Sequence, residues 1–359
     1  MLTKADDYPI HQRPEPVATA GSDRNFYDRY YFQGYNADQS IAIGASLGVY
    51  PHLDLLDAAF MVQHHGLQHS LFSSRHLGSE RLDTMAGPIT VEVLEPLQRL
   101  RLAVADNEHG IAAELIFDGL AAPIEEPRFT YRAGPRTILD LTRMTQSGRW
   151  HGSVHLGAET FEVLGWRGTR DRSWGIRPLG TRDTQPIPGA GLNQWFWLWA
   201  PMHFEDYLVF FHSNDDAQGN GWNRSATLQP VDGGAAILLT DVGFSLTYRS
   251  GTRQIASAVV HGKCPDGTPI KVELACGAVI YKQGEGYNHP VWGHGSYHGE
   301  YALHHETLDA CRADPNDMAQ VHLHSLCTAR LTIGRQAPRQ GQAVLEQMLL
   351  GPHRPSDMA

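Results

Sequence analysis

A run of fourteen residues near the middle of the chain combines side chains that could hold a polar ligand and move a proton. Between positions 165 and 178 lie four arginines and a single acid, Asp171. Because a guanidinium can grip a carboxylate through two parallel hydrogen bonds, Arg170 and Arg177 are predicted to hold Asp171. The pattern fits two alternatives equally: a structural ion pair that pins a loop, and a site that orients a substrate or shuttles a proton.

A proton donor is better sought among acids that have no arginine beside them. Pairing with arginine lowers the pKa of a carboxyl group, which makes it a poor acid near neutral pH. The remaining candidates are Asp54, Asp57 and Glu300. Asp54 and Asp57 lie in an apolar, strand-like run and would alternate onto opposite faces. One of the two is therefore predicted to point inward, and the sequence leaves open which.

A further set of candidate residues consists of tryptophans. The segment Gln194–Trp199 would place three indoles on one face of a strand. Core filling is one interpretation; the other, slightly favoured, is a pocket wall whose flat rings stabilise a carbocation. The predicted substrate-binding residues are Arg170, Arg177, Trp166, Trp174, Trp195, Trp197 and Trp199.

Other chemical patterns are weaker. The chain has 20 histidines but no H-E-x-x-H, and His322-x-His324 has no acid at a nearby spacing, so no metal or other cofactor is predicted. A histidine-ligated metal enzyme remains an alternative that elemental analysis would test. Gly44–Gly48 spells G-x-S-x-G, but Pro51 follows too soon for the helix that a nucleophile elbow needs. We interpret that match as chance.

The rest of the chain predicts a mostly β protein. Short runs of β-favouring residues, about ten residues apart and separated by turn residues, indicate antiparallel sandwiches or barrels. We predict an arm over 1–25, a β domain over 26–185 and a second over 186–359. Residues 168–178 are expected to form a loop. Ala337–Leu350 is predicted to be a short C-terminal helix, because Val344, Leu345, Met348 and Leu349 would share one face.

The central run also resembles a family motif. Gly168–Arg177 matches G-x-R-D-x-S-W-G-x-R, a signature of the lipocalin-like AttH/hydroxyneurosporene-synthase (CrtC-type) superfamily, which includes carotenoid 1,2-hydratases and fungal Diels–Alderases. Leu53–Phe60 with Gln68–Leu71, and Gly293–Glu300, are similar to further family segments. The resemblance implies two tandem lipocalin-like barrels, a pocket at or near their interface, and cofactor-independent hydration, dehydration or cyclisation of a lipophilic unsaturated molecule.

Composition limits the partners. A formal charge of −10, from 39 acids and 29 bases, argues against nucleic acid and anionic membranes. No apolar run approaches the roughly 20 residues of a transmembrane helix. Met1–Gln12 does not resemble a secretory signal, and four widely spaced cysteines favour the cytoplasm. The expected partner is a hydrophobic small molecule; the oligomeric state is not specified. The alternative function is a non-catalytic binding protein for a hydrophobic metabolite.

Overall fold

The computed structural model describes residues 2–19, 21–180, 194–231 and 233–358. It confirms the mostly β prediction: two antiparallel sheets form one half-barrel and one nearly closed barrel. The chain divides into two compact units. The first unit comprises Met1–Gly119, Arg128–Pro188 and Gly284–Leu308, and the second comprises Leu120–Pro127, Gly189–Gln283 and Asp309–Ala359. The predicted boundary between 185 and 186 lies outside the described residues.

Strands β1 to β12 cover the first half of the chain. They are β1 Phe26–Tyr35, β2 Ile41–Tyr50, β3 Leu55–His64, β4 Leu67–His76, β5 Met85–Ala86, β6 Ile89–Glu95, β7 Arg99–Val104, β8 Ile111–Gly119, β9 Ile124–Glu125, β10 Phe129–Ala133, β11 Arg136–Leu156 and β12 Glu159–Ile176. The remaining strands are β13 Trp195–His203, β14 Tyr207–Asp215, β15 Gly221–Pro230, β16 Ile237–Leu238, β17 Thr240–Tyr248, β18 Ile255–Lys263, β19 Pro269–Tyr281, β20 Tyr301–Asp309, β21 His322–Ile333 and β22 Arg339–Leu350.

The helical segments of the described chain are short 3-10 turns. They are Lys4–Asp7, Pro51–Leu53, Lys282–Glu285 and Arg354–Ser356. None of the described helices is both long and apolar enough to cross a bilayer.

The sheet of the first unit runs in the order β20-β4-β3-β2-β1-β12-β11-β8-β7-β6-β5, and β10 pairs with β11. One face of this sheet carries a continuous apolar core that includes Phe32, Phe60, Phe117, Trp150 and Trp166. Because side chains alternate between faces along a strand, the residues between these core positions point to the opposite face. That opposite face is buried along β2, where every residue is buried.

The sheet of the second unit runs in the order β16-β15-β14-β13-β22-β21-β19-β18-β17. Its apolar core takes alternate residues of the central strands, including Phe196 and Leu198 of β13 and Leu345 and Leu349 of β22. The intervening residues are buried along most of β13 and mostly half-buried along β22. Both faces of β13 are therefore covered, and the second face of β22 is covered in part.

Two local predictions are wrong. The predicted helix Ala337–Leu350 is strand β22, which pairs with β13 and β21. Its apolar residues lie on both faces of the strand, and such a pattern cannot be told from a helical stripe by periodicity alone. The predicted loop after 168 is the continuation of β12 to Ile176. β12 is paired on both sides, and its arginines have partners on the neighbouring strands, Gln146 for Arg170 and Asp28 for Arg172.

Candidate functional site

A set of polar side chains lies together on the face of the first sheet that is opposite its apolar core. We call this set the polar face; its members are Arg29, Ser46, Tyr50, Asp57 and Asp171. The register explains why they share a face, because directly paired residues of antiparallel strands project to the same side. Arg29 pairs with Gly48 and Gly48 with Asp57, while Tyr31, two residues from Arg29, pairs with both Ser46 and Asp171.

A later part of the same unit covers the polar face. We call residues 284–300 the covering segment. Ser46 donates a hydrogen bond from Oγ to the backbone oxygen of Glu285 at 3.0 Å. The backbone N–H of Gly295 donates to Oδ2 of Asp57 at 2.7 Å. The Arg29 guanidinium lies 4.5 Å from the ring centroid of Tyr287. These contacts bring groups from opposite ends of the unit's sequence into one buried site.

Asp57 has the chemistry of a proton donor. Burial raises the pKa of its carboxyl group to about 6, against the opposing effects of its hydrogen bonds from Gly295 and Tyr50 and of the charge on Arg29. Tyr50 donates from its hydroxyl to Oδ1 of Asp57 at 2.9 Å. Tyr50 can reach the carboxylate because Gly48 has no side chain, and a Cβ there would overlap the Tyr50 ring. A carboxyl group with this pKa can both release and recover a proton near neutral pH.

Arg29 supplies a fixed positive charge with unused donors. The residue is 2% exposed, and its Nη2 donates to the hydroxyl of Tyr287. Burial opposes its charge, but Tyr287, Tyr50 and Asp171 together raise the pKa of the guanidinium. Its Nε and Nη1 atoms are buried and have no hydrogen-bond partner within the described part of the chain. Since a buried unsatisfied donor is costly, these atoms are suited to a ligand oxygen or a water molecule.

A small cavity lies against Asp57. Its volume is about 10 Å³, which is room for about one water molecule. Ser46, Phe72, Trp292 and His298 are among its lining residues. Burial lowers the pKa of the His298 imidazole, which is therefore mainly neutral at pH 7, and its Nε2 is buried without a partner among the described residues. A titratable carboxyl group and a neutral imidazole thus face the same water-sized space.

The arginines of the central run do not all share a face with Asp171. Asp171 is 8% exposed and lies on the polar face. Arg170, the residue before Asp171, points to the other face of the sheet. It donates from Nε to Oε1 of Gln146 at 2.8 Å and lies over the ring of Phe117. Burial lowers the pKa of Arg170 to about 10. Arg177 lies 5.4 Å and 5.8 Å from the ring centroids of Tyr27 and Tyr287, so it is close to the polar face.

The other predicted residues of the first unit have different surroundings. Asp54 has a left-handed backbone with φ of 50°, and its side chain is 57% exposed. It binds Nδ1 of His76 at 3.0 Å and accepts from the backbone N–H of Gly78. Glu300 is exposed. Trp166 packs in the apolar core, and Trp174 is 40% exposed.

The three tryptophans of β13 belong to the second unit. Trp197 and Trp199 are buried on the side of the strand away from the apolar core. Trp197 donates from Nε1 to Oε1 of Glu346 at 2.7 Å, and Trp199 from Nε1 toward Oε1 of Glu126 at 3.4 Å. The ring of Trp195 lies 5.9 Å from that of Trp222. Both buried indoles therefore satisfy their N–H groups with carboxylates.

Glu346 is a largely buried acid whose surroundings the sequence did not predict. Its carboxylate contacts Nε2 of His322 at 2.7 Å and Nε2 of His324 at 2.8 Å. Burial acts against its charge, but the two histidines hold its pKa well below the usual range. Burial also lowers the pKa of His324 to about 4. The acid absent from the neighbourhood of His322-x-His324 in sequence comes from the adjacent strand, so no local spacing could have revealed it. Among the described residues, no three His, Cys, Asp or Glu side chains are arranged to hold a metal ion.

Arg29, Tyr287 and His298 were missed for a related reason. Arg29 lies in a run of tyrosine and phenylalanine that predicts an ordinary strand, and nothing in its spacing indicates burial of its charge. Tyr287 lies 258 positions further along the chain. Only its presence in the covering segment brings it to Arg29.

The chain folds into two antiparallel sheets, and its first unit carries the buried polar face. Its fold is similar to a protein of Nitrosomonas europaea provisionally assigned as an AttH, with a TM-score of 0.52, 11% identity and coverage of 94% of this chain and 98% of that one. CghA gives a TM-score of 0.51 at 9% identity over 91% and 89% of the chains. Kievitone hydratase of Nectria haematococca gives 0.46 at 12% identity over 98% and 96%.

The chain belongs to the family described as "Family of unknown function (DUF8625)", whose profile matches residues 2–359. No curated protein matches the sequence. At these levels of identity the similar structures show the fold alone.

Proposed function

We propose that the protein is a cofactor-independent enzyme that adds water to, removes water from, or cyclises a lipophilic unsaturated small molecule of isoprenoid or polyketide type. The single observation that carries the proposal is Asp57, a buried carboxyl group whose pKa is raised to about 6 at the wall of a water-sized cavity. A structural carboxylate is usually charged and fully paired; this one is poised to exchange a proton. The activity is of lyase type, or of isomerase type where the substrate closes a ring.

The polar face and the wall of the small cavity supply the groups that the proposed hydration requires. Protonated Asp57 gives its proton to one carbon of the double bond, so an O–H bond breaks and a C–H bond forms, leaving a cation on the other carbon. The cavity water bonds through its oxygen to that cation and releases a proton to Nε2 of His298. Exchange with solvent then returns a proton to Asp57. The aromatic rings of Phe72 and Trp292, which line the cavity, stabilise the cation.

Arg29 and Asp171 position the substrate in this proposal. The unfilled Nε and Nη1 donors of Arg29 bind a substrate oxygen, and Asp171 contributes to keeping the guanidinium charged. Arg177 adds a second positive charge near Tyr27 and Tyr287. Because the cavity holds only about one water, the covering segment must move outward for a lipophilic substrate to enter.

The first test uses a panel of isoprenoid and polyketide-like alkenes in isotopically labelled water, with mass spectrometry of the products. Asp57→Asn should lower kcat about 100-fold or more, the typical contribution of a general acid, while the protein remains folded. The matched control is Asp118→Asn, which removes an exposed carboxylate of the same unit that pairs with Arg99. In the native enzyme kcat should fall above about pH 6 as Asp57 loses its proton, and it should also fall in more acidic solution as Nε2 of His298 gains one.

Two results would contradict the assignment. Full activity of Asp57→Asn together with loss in Asp54→Asn would transfer the donor role to Asp54. Ligand binding without turnover by any member of the panel, with an affinity unchanged in Asp57→Asn, would favour the non-catalytic binding protein instead, because a binder needs no desolvated acid.

A further inference from the structure

A larger cavity, of about 220 Å³, lies in the second unit. It is at one end of the sheet, where β18 and β21 begin and β19 and β22 end, since these neighbours are antiparallel. Its lining residues include Arg253, Met318, Val321, Leu323, Gln347 and Leu349. None of them belongs to the polar face or to the covering segment.

The inner part of this cavity is apolar. Leu323 and Leu349 are 1% and 2% exposed, and Leu349 belongs to the apolar core of the unit. Val321 and Leu350 add further hydrocarbon surface. The cavity is thus an extension of the core that no side chain of the described protein fills, and burial of an apolar ligand there would be favourable.

The wall of the cavity is pre-formed. Gln347 accepts a hydrogen bond at Oε1 from the backbone N–H of Ile255 and donates from Nε2 to the backbone oxygen of Arg253, both at 2.8 Å. Arg253 in turn donates from Nη1 to the backbone oxygen of Gly351 at 2.6 Å. These bonds join the start of β18 to the end of β22 and hold the Arg253 side chain at the cavity. Because the wall is already ordered, ligand binding costs little conformational entropy of the protein.

The charge at the cavity has one sign. Arg253 is the charged residue among the described residues that line it, and no acidic side chain lines it. Its guanidinium stays positively charged at neutral pH, so a carboxylate bound at this end of the cavity gains electrostatic attraction there. The volume lies below the roughly 300–1,000 Å³ of sites for drug-sized ligands, which indicates a smaller molecule.

We propose that this cavity is a second ligand site that takes a small apolar carboxylic acid, with its hydrocarbon part against Leu323 and Leu349 and its carboxylate at Arg253. The site is separate from the polar face and needs no chemistry there. Its occupancy is measured as binding, so the outcome does not depend on whether the enzyme activity proposed above exists.

Calorimetric titration of the full chain with octanoate, octanol and octylamine tests the assignment. These probes share one hydrocarbon chain and differ in the charge of the head group. Octanoate should bind roughly tenfold more tightly than octylamine, because the guanidinium attracts the carboxylate and repels the ammonium group. Equal or reversed affinities would overturn the carboxylate assignment, and no binding of any probe at millimolar concentration would overturn the site.

Variants at the cavity rim locate the binding. Met318 is 61% exposed, so Met318→Glu and its matched control Met318→Gln should both fold. The glutamate should weaken octanoate binding several-fold relative to the glutamine through repulsion between like charges. Val321→Trp, which fills the cavity, should abolish binding of octanoate and octanol. Binding that is insensitive to all three substitutions would show that the probe occupies another place and would contradict the proposal.

Discussion

At the scale of single residues, the two neighbouring acids Asp54 and Asp57 show what sequence can resolve. Alternation along a strand correctly predicts that their environments differ, but it does not decide which carboxyl group is buried. That outcome depends on a tight left-handed turn at Asp54, which turns its side chain to solvent, and on Tyr50 and Gly295 meeting Asp57. The sequence separation of Gly295 places this information beyond any local pattern.

The raised pKa of Asp57 has a thermodynamic signature. A carboxyl group whose pKa rises from 3.8 in the unfolded chain to about 6 in the fold favours folding most below pH 3.8, and this contribution is lost as the pH rises through about 6. Asp57→Asn lacks the titration. Its destabilisation should therefore be larger near pH 4 than near pH 7.5, by up to about 2–3 kcal/mol.

Urea denaturation of the native protein and of Asp57→Asn at both pH values measures this difference. Other titrating groups cancel because they are common to both proteins. The same destabilisation at both pH values would show that Asp57 titrates normally.

Gly44 illustrates a second residue-level effect. It lies within strand β2, so the G-x-S-x-G letters mark no turn, in agreement with the interpretation as chance. A Cβ at Gly44 would overlap the carboxylate of Glu285 in the covering segment. Gly44→Ala should destabilise the protein by about 1–3 kcal/mol, as overpacking does.

The matched test is a double-mutant cycle with Glu285→Ala. Removal of the Glu285 side chain relieves the overlap, so the double variant should be at least about 1 kcal/mol more stable than the sum of the two single effects predicts. Strictly additive unfolding free energies would contradict the contact.

At the scale of elements, Trp150 joins β11 to its neighbours. Its Nε1 donates to the backbone oxygen of Gln33 at 3.0 Å. The paired glycines Gly34 and Gly168 leave room for the indole, and a Cβ at either would overlap it. Gly168, the first glycine of the motif that carries the family resemblance, thus has a packing role. Part of this motif is therefore explained by structure and not by chemistry.

Substitution at these positions should reveal that role. Gly168→Ala should lower the free energy of unfolding by about 1–3 kcal/mol, and Trp150→Phe should cost a similar amount through a lost hydrogen bond and a small void. The smaller phenyl ring should partly accommodate the added methyl group, so the double variant should be less destabilised than the sum. Thermal unfolding of the four proteins measures this, and an unaffected Gly168→Ala would contradict the packing.

The prediction for β22 fails at the same scale. A local pattern cannot distinguish a helix with one apolar stripe from a strand buried on both sides, because what covers the second side is decided elsewhere in the chain. The many short strands were predictable since turn residues separate them. The loop prediction for the central run is wrong because arginines are rarely buried without a partner, whereas here Gln146, Phe117 and Tyr30 supply partners for Arg170 and Arg172.

At the scale of the whole molecule, the fold class was predictable and the composition of the units was not. The regular spacing of short β-favouring runs, together with the motif, predicts two antiparallel β units, and the structure confirms them. Nothing in the sequence indicates that residues 284–308 belong to the first unit. The candidate site depends on this return of the chain, because Asp57 and Arg29 acquire Gly295 and Tyr287 as partners only through it.

That return has a consequence for biosynthesis. The hydrogen bond from Ser46 to the backbone of Glu285 spans 239 positions, which a ribosome needs ~10–50 s to traverse. Until residues 284–300 have been synthesised, Arg29 and Asp57 lack the partners that Tyr287 and Gly295 supply in the folded unit. The site can therefore be completed only late in translation.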